Sequence, residues 1–162
     1  MENSVKTALA QYLDRTQILL TDCEKWSVGL GLTATHGEKV INEERHGQYT
    51  VETLILSDGN GKRQAEVTPF GEAILGAWGR VDVVGEYGKR EKIVYLIAGG
   101  PTMTTRIQVG DGGETEERAH RFYRGVDAEG WYWVSPSPIR RAYPLTQEVF
   151  ADLLSAVSGH EF

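Results

Sequence analysis

Between positions 36 and 46 stand His36, Glu38, Glu43, Glu44 and His46, five side chains of the types that ligate divalent metals. Two imidazoles and a carboxylate make a common zinc or iron set. On one uninterrupted strand, His36, Glu38, Glu44 and His46 would share a face, because side chains alternate. That same strand would hold the two histidines about 30 Å apart, too far for one ion. Gly37 and the run INEERHG argue for an interruption, and the segment reads as a solvated polar face. No metal ligand set and no cofactor are expected.

Acid–base and nucleophilic chemistry needs a histidine with a nucleophile and an orienting acid. His120 lies between Arg118, Arg121 and Arg124 in RAHRFYRG, and a basic neighbourhood does not prepare such a pair. Neither G-x-S-x-G nor H-E-x-x-H occurs. Cys23 is the single cysteine, which excludes an intrachain disulfide and a thiolate cluster. It reads as a small buried hydrophobe. The chemistry-bearing residues therefore lean away from an enzyme.

The stretch VGLGLTATHG contains a Gly-x-Gly, but its third glycine is misplaced for a dinucleotide loop. Val28, Leu30, Leu32 and Ala34 alternate with Gly29, Gly31 and Thr33, so the stretch is expected to be a strand with both glycines on one face. DGNGK at 58–62 lacks the spacing of a phosphate loop and reads as a hairpin turn.

Residues 118–144 combine arginine with aromatic rings more densely than any other stretch. Such residues are enriched at the energetic centres of protein interfaces. Arg121, Tyr123, Arg124, Trp131, Trp133, Arg140 and Arg141 are the expected partner-binding residues. In WYWV both faces of a strand carry large side chains. One face would be core, with the other lying under the SPSPIRR connection or forming the interface.

The elements that position these residues follow from periodicity. Val5, Ala8, Leu9, Tyr12, Leu13, Thr16, Leu19, Leu20 and Cys23 make an amphipathic helix, with Ser4 as its N-cap. At the other end, Thr146 caps a helix whose inner face is Val149, Phe150, Leu153, Leu154 and Val157, and Gly159 stops it. Between them the period is two. Alternating segments occur around 49–57 and 102–109, Val81 and Val83 mark another strand, and KIVYLIA at 92–98 is apolar on both faces like a central strand. DGNGK, EYGKRE and VDAEG are turns. EAILGAW at 72–78 is expected as a short inserted helix, and GDGGETEER at 110–118 as a mobile loop between strands.

The 162 residues are expected to form one globular domain, residues 1–162, of class α+β. Its sheet would be a curved antiparallel sheet or partial barrel of about seven to nine strands, flanked by an N-terminal amphipathic helix and a C-terminal helix. With a net charge of −6, phosphate neutralisation is disfavoured, so no nucleic-acid partner is expected. The longest apolar run, IVYLIA, is far short of a membrane span, and the N-terminus lacks a signal-peptide pattern. The expected location is cytoplasmic.

The functional expectation is a non-catalytic protein-binding protein of the adaptor, chaperone-like or inhibitor/immunity type, with a homodimer left open. The alternative is a small-ligand-binding protein or small enzyme. Its pocket would lie between the sheet and a covering helix, lined by Gly29 and Gly31, with His36 or His120 as the acid–base group.

Overall fold

A computed structural model describes residues 2–74, 76–108, 110, 112–113, 115–136 and 138–162. Helix α1 runs Glu2–Gly29, so Ser4 lies inside the helix and does not cap it. Its buried stripe is Tyr12, Thr16, Leu19, Leu20, Cys23 and Ser27. The Thr16 and Ser27 hydroxyls on that stripe donate back to the carbonyls of Tyr12 and Cys23, at 2.6 Å each, and the Tyr12 hydroxyl donates to the Arg80 carbonyl at 2.9 Å, so all three enter the core satisfied. Burial pushes the Cys23 thiol pKa up, with the Asp22 charge adding to it, and leaves the group inert.

The glycines of the Gly-x-Gly end this helix. Leu32 N–H donates to the Ser27 carbonyl (2.9 Å) and Gly31 N–H to that of Val28 (3.0 Å), with Gly31 at φ +84°. That is a Schellman C-cap, which requires a residue in the left-handed region at the position of Gly31. The expected strand over 28–34 is corrected accordingly: strand β1 spans Thr33–Glu43. The alternation of apolar residues with glycine misled because a helix's last turn followed by its C-cap glycine produces the same pattern. A phosphate loop opens a helix and offers N–H groups, whereas this motif closes one and offers carbonyls.

Nine antiparallel strands follow: β1, then β2 (Gly47–Ser57), β3 (Arg63–Gly71), β4 (Arg80–Gly85), β5 (Arg90–Leu96), β6 (Thr102–Gln108), β7 (Thr115–Arg121), β8 (Gly130–Val134) and β9 (Ala142–Pro144). Helix α2, Gln147–Ser158, ends the fold. Among the described residues, seven of these strands form one open sheet in the order β1-β2-β3-β4-β5-β8-β9, and β6 and β7 pair with each other. The architecture is α+β with an open curved sheet between two terminal helices.

Two expectations fail locally. Of EAILGAW, residues 72–74 and 76–78 are not helical, and Leu75 lies outside the described residues; Ile74 and Ala77 form an isolated bridge, and Gly76 turns the chain at φ +78°. The expected loop at 110–118 is shorter, because β7 begins at Thr115 and pairs with Gln108. Glu116 and Glu117 are then strand residues, and Arg106–Glu117 is a cross-strand ion pair at 3.1 Å. Val109, placed on the 102–109 strand by its alternation, falls outside the described residues, as do Asp111 and Glu114 of that loop.

Register decides what is dry. Leu54 stands opposite Val67, which stands opposite Val83, and Ile93 pairs with Val81, so these side chains share a face. With Leu19, Leu20, Cys23, Phe150, Leu153, Leu154 and Val157 they form the main core, filling the space between sheet and helices. Each such side chain contributes roughly 1.5–3 kcal/mol. The Thr146 cap, whose hydroxyl accepts from Val149 N–H at 3.2 Å, is worth about 1 kcal/mol. Packing, more than capping, holds α2. The opposite face at the sheet centre carries buried polar residues, Thr53, Gln64, Thr68 and Asp82. Asp82, 0% exposed, is gripped by Arg80 through two bonds (2.7 and 3.0 Å) and by Arg90.

α2 lies against the backbone of β4. A methyl at Gly85 would overlap the Val157 carbonyl, whereas one at Gly59 would meet open space. Gly85→Ala is expected to cost about 1–3 kcal/mol and Gly59→Ala within about 0.5 kcal/mol, measured by urea unfolding. Equal midpoints for the two would contradict the close packing of α2.

α1 is also latched to the sheet edge by His36, which bonds Glu52 and, at 3.2 Å, Glu24. Those two carboxylates, Glu24 first, raise the His36 pKa above its ordinary 6.5. A raised folded-state pKa contributes stability that is complete below the unfolded value and fades as pH rises through the folded one. His36→Ala should therefore lower the melting temperature most at acidic pH, with the gap to wild type closing in alkali. A gap independent of pH would remove this latch.

Candidate functional site

The seven residues expected to bind a partner divide among four places. β8 presents Trp131 and Trp133 on the face that carries Ile93, half-buried against the main core. Tyr132, between them, points the other way into a second cluster with Leu96, Val126 and Ala142, against which Tyr123 also packs. Its hydroxyl donates to the Ala128 carbonyl at 2.5 Å. Both faces of WYWV are thus engaged, and the second is covered chiefly by the 123–128 segment, ahead of the SPSPIRR connection.

Arg124, Arg140 and Arg141 are exposed and brought together by backbone bonds. Arg124 forms a parallel bridge with Arg141, and its N–H donates to the Arg140 carbonyl at 3.1 Å. Arg121 is separate, at the end of β7 opposite Thr102. Tyr123 therefore leaves the expected surface, and Arg121 stands outside the cluster the other arginines form.

What remains is an aromatic row across β5, β8 and β9. Tyr95 meets Trp131 edge-to-face at 5.2 Å, and Trp133 lies against Tyr143 at 5.7 Å. Arg15 of α1 sits 4.2 Å above the Tyr95 ring at one end, and Arg141 lies 5.8 Å from the Tyr143 ring at the other. Trp133 Nε1–H donates to Glu91 at 2.8 Å, fixing its ring. The Tyr95 phenol has a raised pKa, from burial first and the Glu129 carboxylate next, with Arg15 opposing. Tyr143, absent from the expected set, is 38% exposed and completes the row. Its signal in sequence was the alternation of Arg141, Ala142 and Tyr143, too short to read as a strand.

No family model, no curated protein and no solved structure matches this chain. Function must therefore be argued from the geometry.

A polar cluster at the β1–β2 turn was not anticipated. β1 runs unbroken through Gly37 to Glu43 and turns back at Gly47, so His36 and His46 lie at opposite ends of β1. His36 goes to Glu24 and Glu52; His46 Nε2 meets Glu72 at 2.6 Å. Among the described residues, no group of three or more His, Cys, Asp or Glu side chains is placed to hold a metal ion. Glu38, Glu44 and His120 are exposed.

Glu43 accepts from the Tyr49 hydroxyl and from the N–H groups of Glu72 (3.0 Å) and Ala73 (2.9 Å). Burial pushes the Glu43 pKa up, but these bonds and the nearby His46 outweigh it and hold the carboxyl below its ordinary range. The Tyr49 phenol is pushed up by burial and by that carboxylate. The cluster pins the turn to the 71–74 segment beside an open cleft of about 600 Å³ lined by Asn42, Glu43, Phe70 and Ile74 among others. In sequence this stretch reads as a solvated polar face, and the partner Glu72 lies 26 positions away from His46.

His46 and Glu72 side chains are 1% and 4% exposed. Removing either leaves the other dry and short of its partner, at about 1–3 kcal/mol. Glu72→Ala and His46→Ala should each lower stability by that amount, and the double variant should cost less than their sum. Strict additivity in thermal melts would mean that the pair is not coupled.

Proposed function

We propose that this is a non-catalytic, cytoplasmic protein-binding protein, of the adaptor, chaperone-like or inhibitory kind, holding its partner at the β5–β8–β9 end of the sheet. The observation carrying this reading is the row Tyr95, Trp131, Trp133 and Tyr143, half-buried rings with an arginine at each end. Rings already fixed by the core lose little entropy on binding, and Tyr, Trp and Arg dominate interface energetics. The β6–β7 ribbon adds support: every residue of β7 is exposed, and an isolated two-stranded ribbon is marginal by itself.

A second reading, small-ligand binding, draws on the cleft beside Glu43. It does not draw on the space under the helices, which core side chains fill, nor on His36 or His120, which are exposed.

The test is affinity capture from the native host, comparing wild type with Tyr143→Ala and Arg141→Ala. A protein co-eluting in stoichiometric amount with wild type at moderate salt is expected, with its Kd raised roughly five- to thirtyfold in each variant. Arg141→Ala should leave the melting temperature unchanged, because its side chain is exposed, whereas Tyr143→Ala, which removes a 38%-exposed ring from against Trp133, should lower it without unfolding the protein. A partner held equally by all three proteins would overturn the proposed surface. A partner-free elution carrying a bound small molecule would favour the cleft.

A further inference from the structure

Acids outnumber bases in this chain, 23 to 17. Against that excess, Arg124, Arg140 and Arg141 stand side by side, and among the described residues none of them forms an ion pair with an acid. Arg45, Arg63, Arg80, Arg90, Arg106 and Arg118 each do. The cluster is built by the fold. Ala142 N–H donates to the Arg124 carbonyl at 2.7 Å, and Arg141 is fixed on both sides by Ser135, whose hydroxyl accepts from its N–H and whose own N–H donates to its carbonyl. Arg141 Nε passes 3.7 Å from where a side chain on Gly125 would begin. Arg140 is the one non-glycine residue with a positive φ, +47°, among the described residues. Strain of this kind clusters at functional sites.

We propose that Arg124, Arg140 and Arg141 seat an acidic segment of the partner protein, whose carboxylates face the three guanidinium groups while an adjacent apolar side chain lies on Tyr143. This deepens the protein-binding reading and rests on it. Guanidinium forks match carboxylates in two-bond geometry, and unpaired positive charge next to aromatic surface is complementary to acids flanking an apolar residue. The acids nearest in sequence form no ion pair with these arginines among the described residues: Glu129 acts on the Tyr95 phenol, whose pKa it raises, and Asp127 makes no ion pair. Single-stranded RNA fits less well. Trp133 and Tyr143 are tilted 30° against each other, so each covers a face that a base would stack on, and the net charge of −6 repels a phosphate chain.

The experiment is fluorescence anisotropy with a labelled peptide of Asp and Glu flanking a Leu-Phe pair, read against its Asn/Gln counterpart and against single-stranded oligouridylate of equal charge. The full chain should bind the acidic peptide at low salt. Arg124→Glu and Arg141→Glu should each weaken it about tenfold or more, as should raised salt. Lys89→Glu, in the exposed β4–β5 turn, should not, and melting temperatures of all variants should match. No preference for the acidic peptide over the Asn/Gln peptide, or equal or tighter binding of the RNA, would overturn the inference. Its failure is separable from that of the broader reading. If affinity capture of the partner depends on Tyr143 but not on Arg124 or Arg140, the interface stands and the acidic-segment assignment falls.

Discussion

A slip of one residue at any hairpin of the β2–β5 meander would exchange the two faces of the sheet. Leu54, Leu56, Ala65, Val67, Val81, Val83 and Ile93 would leave the helices, and Asp82 would enter the core without Arg80 and Arg90. Burying one unpaired carboxylate costs several kcal/mol, and exposing seven apolar side chains costs more. Both penalties act in the same direction, so register is specified twice over. The polar face of the sheet centre thus contributes specificity through Asp82 even where it contributes little net stability.

The helices respond to that register. α1 brings Leu19, Leu20 and Cys23 onto the apolar face and stops at Gly31 because the chain must reverse into β1. α2 brings Phe150, Leu153, Leu154 and Val157 to the same face and reaches the backbone of β4, where only a residue without Cβ lets it settle. The β6–β7 ribbon is inserted between β5 and β8 without breaking their pairing: Ile93 meets Trp133 directly. Its return segment, 122–128, then covers the far face of β8 and builds the second cluster around Tyr132 and Val126. One insertion therefore creates both the exposed ribbon and the support for the arginines that follow it.

The Arg-aromatic segment was legible as a composition but not as a surface. Trp131 and Trp133 carried their common face in their spacing, and the structure keeps it. Tyr123 carried no such periodicity, and the connection folds it inward. Arg124 and Arg141 lie seventeen positions apart and meet only because β8 and β9 form a hairpin beside the 122–126 segment. The Glu43–Tyr49 and His46–Glu72 contacts were hidden for the same reason. Glu43 and Tyr49 needed the β1–β2 turn, and Glu72 needed the curvature that carries the end of β3 back to it.

Local periodicity determined the class of this protein: helical ends, strands between them, Thr146 and Gly159 as the caps of α2, and the apolar stripe of α1. Those features depend on residues within a turn or two of one another, where side-chain spacing and backbone geometry are directly coupled. Local pattern misled where two structures share it, as with Val28–Leu32, where helix end and strand both alternate glycine with apolar residues. The tertiary structure alone decided which faces are covered, which arginines stand together unpaired, and which carboxylates find a histidine or a tyrosine. Those outcomes are set by strand register and sheet curvature, sums over many residues that no short window of sequence contains.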